Sequence, residues 1–537
     1  MDAGDGHPNR QFAILRLTCK LWKDMGRLTL SVDSFSHCLT SNDLLLAVKG
    51  GHVESLRFLL TRKELDPSCE DNQLISIASE NDSTEIVRLL LDDNRIDPSA
   101  ADDRAIISAA KHGRTDNVQL LLSDRRVDPS SKNDQVIRVA ASRGHTETVR
   151  LLMSDSRVDP SAENNVAIRE AAFRGHTETV RLLLTHPRVD PSAEDNQTTI
   201  DAASGGHTET VRLLMSDPRV DPSADDSYAI ISSATWGYSE TLRLLLSDRR
   251  MDPSARDNEA IIEAASRGHT ENVRLLLSDS RVNPSAQDNQ AIVSSADQGH
   301  TETVRLLLTD HRVDPSARDN DAIVEALCSG HSETARLLLS DARVNPSAQA
   351  NQAIRYAALL GLTEMVRLLL SDPRVDPSAY DNEAFTMAAS DGRTETVRLL
   401  LSDPRVDPSA LDNYSIRMAV SAGYAETVQL LLSDPRVDPS ARDNVAIICA
   451  AEEGHSEIVR LLLADERVDP SKDGLIRSAA ASGHADIVKL LLSHPRVDAA
   501  AQIPEAERYA EQGGHTEVVQ LLNDYKRQMS QVHAMRF

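Results

Sequence analysis

Residues Asp257 to Asp288 read D-N-E-A-I-I-E-A-A-S-R-G-H-T-E-N-V-R-L-L-L-S-D-S-R-V-N-P-S-A-Q-D, and close variants of this stretch stand on both sides of it. Its glycine, Gly268, belongs to a series running Gly51, Gly113, Gly144, Gly175, Gly206, Gly237, Gly268, Gly299, Gly330, Gly361, Gly392, Gly423 and Gly454. The spacing is 31 residues throughout, with Asp82 filling the place between Gly51 and Gly113. Gly483, reached through a connector two residues shorter, and Gly514 bring the count to sixteen copies. A period of this size marks a stacked solenoid, in which each copy buries its apolar face only against its neighbours. Such a chain offers a long surface in place of one enclosed pocket.

The quoted copy predicts two helices. Asp257-Asn258 is expected to cap the first by accepting hydrogen bonds from its free N–H groups. Ala260, Ile261, Ala264 and Ala265 give that helix an apolar face of mostly small side chains, so a second helix can approach closely. Gly268 supplies the left-handed residue that ends it. Thr270 is expected to cap the second helix, with Glu271 in the first turn where the helix dipole favours negative charge. Val273, Leu276 and Leu277 share one face, and Leu275 lies on another, so this helix is buried on two sides. In six copies a proline (Pro187, Pro218, Pro373, Pro404, Pro435, Pro495) follows the leucine run and stops the helix. V-D-P-S-A reads as an extended connector, because its proline disfavours helix for the preceding aspartate.

The segment G-H-x-E-x-V-x-L-L-L, here Gly268 to Leu277, followed by Asn283-Pro284-Ser285-Ala286, resembles the ankyrin repeat. The resemblance covers roughly residues 42–525. Against the usual period of 33, one residue is added after the leucines and three are lost before the first helix. The lost residues belong to the family's β-hairpin tip, and its Thr-Pro-Leu-His step is replaced by x-Ala-Ile-x. The resemblance therefore implies an all-α ankyrin-type helical solenoid of about sixteen repeats with shortened β-hairpin connectors. It also implies protein partners held on the concave helical face. Residues 1–41 are read as an N-terminal segment, 42–525 as the solenoid and 526–537 as a tail. In the last copy Ile503-Pro504 replaces Asp-Asn and Glu507 stands where isoleucine is expected, as a polar capping repeat requires.

Composition narrows the function. The chain carries 83 acidic and 58 basic residues, a formal net charge of −25, which argues against nucleic acid as a partner. Five scattered cysteines, Cys19, Cys38, Cys69, Cys328 and Cys449, form neither a disulfide framework nor a zinc site, and a reducing, cytoplasmic setting is expected. No apolar run approaches the length of a membrane span, and Met1 to Arg10 is polar, unlike a signal segment. A monomer is expected.

The ten Gly-His histidines suggest a metal array, but equivalent atoms of packed helices lie on the order of 10 Å apart, whereas ligands of one zinc each lie about 2 Å from it. Histidines bonding turn carbonyls are expected instead. Glu271 and Arg274, at i, i+3, read as local helix pairs. G-x-x-x-x-G-K-[ST], H-E-x-x-H and G-x-S-x-G are all absent. No catalytic residue, metal or cofactor is expected.

The informative positions are those that vary while the frame stays constant: the residue after P-S-A, the one before A-I, and the two before the glycine. Phe173, Trp236, Leu359 and Leu360 stand in the last pair, and Tyr228, Tyr356, Tyr380, Leu411 and Tyr414 stand at nearby variable sites. Large apolar residues on polar surface suggest a binding patch, and Trp and Tyr are favoured anchors. The expected partner-binding set is Phe173, Tyr228, Trp236, Tyr356, Leu359, Leu360, Tyr380 and Tyr414, the first three on one stripe. Phe385 and Met387 are assigned to the core, and Tyr238 and Tyr424 to the structural role of the repeat histidine. At the N-terminus, I-L-R-L-T-C-K-L-W-K (Ile14 to Lys23) resembles the second half of an F-box, the helical module that recruits a cullin-type ubiquitin ligase. The other reading is an amphipathic cap on the first repeat, anchored by Trp22. Two functions are thus expected: a protein-binding scaffold, or a substrate-recruiting ligase adaptor.

Overall fold

The computed structural model describes residues 40–471, 474–497 and 499–535. These residues form 32 helices in consecutive pairs, with no strand among them. The chain divides into two compact units, Met1–Ala224 and Asp225–Phe537. Within each unit, first helices pack on their own second helices and on the first helix of the next repeat, as Ala255–Ser266 does on Thr270–Leu277 and Ala286–Asp297. The F-box-like segment lies outside the described residues.

One repeat of the C-terminal unit shows why the sequence folds this way. Its second helix, Thr270–Leu277, buries Val273 and Leu276 completely, while Leu275 and Leu277 are half-buried at the two flanks. Its first helix buries Ala260, Ile261, Ala264 and Ala265 completely. The helix pair turns at Gly268, whose φ of 72° is left-handed, as expected. The glycine has a second duty. A Cβ on Gly268 would fall 2.6 Å from Nδ1 of His300, one repeat on, because that ring lies across the turn. Nε2 of His300 meets the carbonyl of Ser266 at 3.1 Å. Eight of the ten repeat histidines bond a turn carbonyl in this way, and the carbonyl belongs to the preceding repeat. Tyr424 takes the same place, with its ring against Gly392.

The start of the first helix differs from the expectation. The element spans Ala255–Ser266, but Arg256, Asp257 and Asn258 have φ of 51°, 57° and 63°, one left-handed turn ahead of the right-handed helix. Residue triples at the same place in the other repeats, from Glu70–Asn72 to Arg442–Asn444, do likewise. Such a conformation costs about 1–2 kcal/mol per non-glycine residue, so something must hold it. The Asn258 N–H donates to the Ser254 carbonyl at 2.9 Å and closes the turn. Asn258 Oδ1 accepts the backbone N–H of Asn283, in the next connector, at 2.6 Å. Asn283 Oδ1 in turn accepts from the N–H and hydroxyl of Ser285 at 3.1 and 2.7 Å. Asp-Asn therefore does not cap its own helix. It joins two repeats, and the V-D-P-S-A stretch is a chain of turns, not an extended strand.

Two more residues point to the neighbour. The hydroxyl of Thr270, expected to cap its own helix, meets that of Thr303 at 2.8 Å, and His269 occupies the cap position. Arg281 grips Asp279 through Nε and a terminal nitrogen at 3.0 and 2.7 Å and reaches back to the carbonyl of Met251. The Arg281 hydrogen bond holds the Asp279 carboxyl below the usual carboxylate range. The N-terminal unit uses the same joints: Asn196 to Asp221 at 2.9 Å, Thr177 to Thr210 at 2.8 Å and Arg157 to Val127 at 2.9 Å.

At the C-terminal end, Pro504 sits inside the helix Ala499–Gln512, Ile503 is buried, and Glu507 pairs with Lys526. The final helix, Thr516–Met535, runs through the position where a tail was expected to begin.

Two repeats of the N-terminal unit carry aspartate in place of the joining asparagine. Asp134 is buried and accepts the N–H of Asp159 at 2.7 Å, and burial pushes its carboxyl above the ordinary value of 3.8. Asn would keep the acceptor without the buried charge. Asp134→Asn should stabilise the protein at neutral pH by about 0.5–2 kcal/mol. A raised folded-state pKa means that the charged form is the one penalised, so the wild type recovers as pH falls through that raised value. The gap between the two proteins should close below about 3.8. Thermal melts of both proteins at neutral and acid pH check this, and a gap that stays constant with pH would contradict it.

Candidate interaction face

The first helix presents an open side. In the repeat around Gly268, Glu259, Glu263 and Ser266 stand at i, i+4 and i+7 and are half-buried, and Arg267 beside them is exposed. The outer side of the second helix is monotonous. Glu271 and Arg274 pair at 3.2 Å, Glu302 and Arg305 at 3.3 Å, and Glu395 and Arg398 at 3.4 Å, all on exposed side chains. Such pairs contribute a few tenths of a kcal/mol each. Variation is concentrated on the first-helix face and at the turn that leads into it.

In the N-terminal unit, Phe173 is 49% exposed at the end of the helix Ala162–Phe173. It borders a shallow cleft of about 250 Å³ lined also by Val166, Arg169, Glu170 and Asp201. The acids there are already engaged: Asp201 accepts from Gln197 at 2.8 Å and Arg169 at 3.2 Å, and Glu170 pairs with Arg174 at 3.4 Å. Burial raises the Asp201 carboxyl.

In the C-terminal unit, Tyr228 and Trp236 flank one first helix eight residues apart. Tyr228 is half-buried, with the Arg256 guanidinium 4.8 Å from its ring centre, and Arg256 also binds Asp225 at 2.8 Å. Trp236 is 55% exposed, with Arg267 5.1 Å from its ring centre. Phe173, Tyr228 and Trp236 occupy three different positions of the repeat, those of Ser266, Glu259 and Arg267, and Phe173 belongs to the other compact unit.

Tyr356, Leu359, Leu360, Tyr380 and Tyr414 do fall in three successive repeats of the C-terminal unit. Tyr380 is 63% exposed, under the Arg355 guanidinium at 4.7 Å, and Arg355 is held by Glu383 at 2.5 Å. Tyr414 lies 5.2 Å from Arg417, and Leu411, in the left-handed turn before it, is 54% exposed. Leu360 is exposed, while Tyr356 and Leu359 are half-buried.

Phe385 is fully buried, as assigned. Met387 is not core. It is half-buried at the repeat position of Tyr356, turned away from the second helix because buried Ala384 and Ala388 occupy the inward side. Sequence reasoning also passed over Met418, Val445 and Cys449, all half-buried on the same face. The signal was available: Tyr356, Met387, Met418 and Cys449 lie 31 residues apart, at the position held by Glu263 in the quoted copy.

Among the described residues there is no His, Cys, Asp and Glu grouping that could hold a metal, and no helix long and apolar enough to cross a membrane. A family model described as Ankyrin repeats (3 copies) matches the chain in overlapping stretches that cover residues 44–412 and 416–503. Comparison with curated proteins returned no match.

The exposure values separate two kinds of residue. Trp236→Ala should leave the melting temperature nearly unchanged, within the ±0.5 kcal/mol typical of surface substitutions. Leu276→Ala, at a fully buried position, should cost about 2–5 kcal/mol. Differential scanning calorimetry checks the pair. A large fall in melting temperature for the tryptophan variant would show that Trp236 holds repeats together.

Proposed function

The chain belongs to the ankyrin-repeat family, and from that premise we propose that it is a non-catalytic scaffold that binds partner proteins through its first-helix face. Ankyrin repeats are in general protein–protein interaction modules. The observation that carries the reading is the division of labour within each repeat. Asn258, Thr270, Arg281 and the repeat histidines are committed to neighbouring repeats, and most second helices show the same Glu–Arg pair. The first-helix face and the turn that leads into it change most from repeat to repeat and bear the large exposed side chains Phe173, Trp236, Tyr380 and Tyr414. Tyr228, Tyr356, Leu359 and Leu360 complete the proposed partner-binding set. The net charge of −25 directs the reading away from nucleic acid. Free Cys69, Cys328 and Cys449 suit a reducing, cytoplasmic setting, and the protein is read as a monomer.

The F-box-like stretch Ile14 to Lys23 supports a second reading, a substrate-recruiting adaptor of a cullin-type ubiquitin ligase. Pull-downs with the full chain and with residues 42–537 separate the two. The scaffold reading expects the same partners from both, and expects Trp236→Ala to weaken a partner that contacts it by about 2 kcal/mol or more. Ligase subunits that appear with the full chain and vanish on truncation would favour the adaptor. Partners retained after substitution of every residue in the set would overturn the proposed face.

A further inference from the structure

Reading one repeat position down the C-terminal unit gives Glu263, Ser294, Glu325, Tyr356, Met387, Met418 and Cys449. The position turns from polar to apolar at Tyr356 and stays so for four repeats. Side chains next to it follow the same change: Leu360, Tyr380, Leu411 and Tyr414 are exposed, and Val445 is half-buried. Among the described residues Arg355 has a carboxylate partner, Glu383, whereas Arg417 donates to the Leu411 carbonyl. Arg355 and Arg417 lie along the Tyr380 and Tyr414 rings.

Both ends of the strip are acidic. At one end Asp297, Asp321 and Glu325 stand on successive first helices, and burial, with Asp297 and Asp321 close by, raises the Glu325 carboxyl. Asp297 accepts from Ser329 and Asp321 from Gln349, both neutral groups. At the other end Glu452 and Glu453 are exposed beside Cys449, and Glu452 accepts from Ser478 at 2.9 Å. Among the described residues none of these five carboxylates is joined to a cation of the chain. The acids of the N-terminal unit at the Glu325 position, Glu170 and Asp201, are bound by Arg174 and Arg169. The strip therefore combines uncovered apolar surface with unneutralised negative charge at its two ends.

We infer that the first-helix face from Asp297 to Glu453 seats a protein segment with an apolar centre and arginine or lysine at both ends. The inference rests on the proposed binding role and specifies the partner's chemistry. Four helix-to-helix steps of 8–10 Å separate Glu325 from the repeat of Glu452, about 30–40 Å in all. An extended segment covers that span with roughly ten to twelve residues at ~3.3 Å each. Tyrosine, methionine and leucine give the centre adaptable apolar contact, and the carboxylates steer cationic ends into register. A second copy of the chain is a poor occupant, because a self-complementary contact would set these acidic ends against each other.

The test uses the full chain and a phage-displayed library of random peptides of about sixteen residues, longer than the span requires. Enriched sequences should have an apolar middle with Lys or Arg on both sides. As synthetic peptides they should bind at least ten-fold more tightly, by fluorescence anisotropy, than versions whose flanks are changed to glutamate. Met418→Ser with Tyr414→Ser should weaken them at least ten-fold, Glu325→Gln with Glu453→Gln should remove most of the flank preference, and added salt should do the same. Circular dichroism melts confirm that the variants are folded. Enrichment of peptides without basic flanks, or binding indifferent to these substitutions, overturns the inference. If the peptides are instead sensitive to Trp236→Ala, the inference fails while the proposed binding face stands. If no selected peptide responds to any first-helix substitution, both fail. Self-association of the full chain in sedimentation, abolished by Met418→Ser, would assign the strip to a second copy and also overturn the inference.

Discussion

A hydrogen bond from the backbone of one repeat to a buried asparagine of the repeat before it is the interaction on which the rest of the structure depends. Asn258, Asn289 and Asn320 accept from residues 283, 314 and 345 at 2.6, 2.7 and 2.6 Å. Each asparagine is held there by a left-handed turn that the local chain would not choose. Asparagine tolerates that region better than most residues, which is why it recurs at the third place of the turn. The turn sets where the right-handed first helix begins, and hence which of its side chains face inward. Without the joint, each repeat would carry the backbone cost and gain nothing from it.

This arrangement separates two tasks. Thr270, Arg281 and His300 reach neighbouring repeats, so these recurring polar residues serve stacking. The glycine turn is committed as well, since the ring of His300 occupies the space a Cβ on Gly268 would need. What remains is the first-helix face, where Glu263, Tyr356 and Met418 can stand at one position without disturbing the frame. Recognition can then change by single substitutions while the stack stays in register.

The fold was legible because its signals are local and repeated. Gly268, the Val273-Leu276 face and the small residues Ala260 and Ala264 required only helical periodicity. The joints were not legible. Asp-Asn before a helix is the usual sign of a cap, and Thr270 before Glu271 is another, yet both side chains go to other repeats. Contacts that span 25 or 33 residues leave no trace in a window the size of one helix. The candidate face was partly legible, since aromatic substitutions such as Tyr380 and Trp236 stand out against polar equivalents. Met387 was misplaced because methionine at helical spacing reads as core, and only comparison with Tyr356 and Met418 along the repeats shows its side of the helix.

The joint can be tested alone. Asn320→Ala would leave the Asn345 N–H without its acceptor, a loss of about 1–3 kcal/mol for a buried donor. Amide hydrogen exchange followed by mass spectrometry reads where that loss falls. The nearest-neighbour account predicts faster exchange in the two repeats that meet at Asn320 and Asn345, with the other repeats retaining wild-type protection. Equal loss of protection along the chain, or no change at residues 317–347, would contradict it.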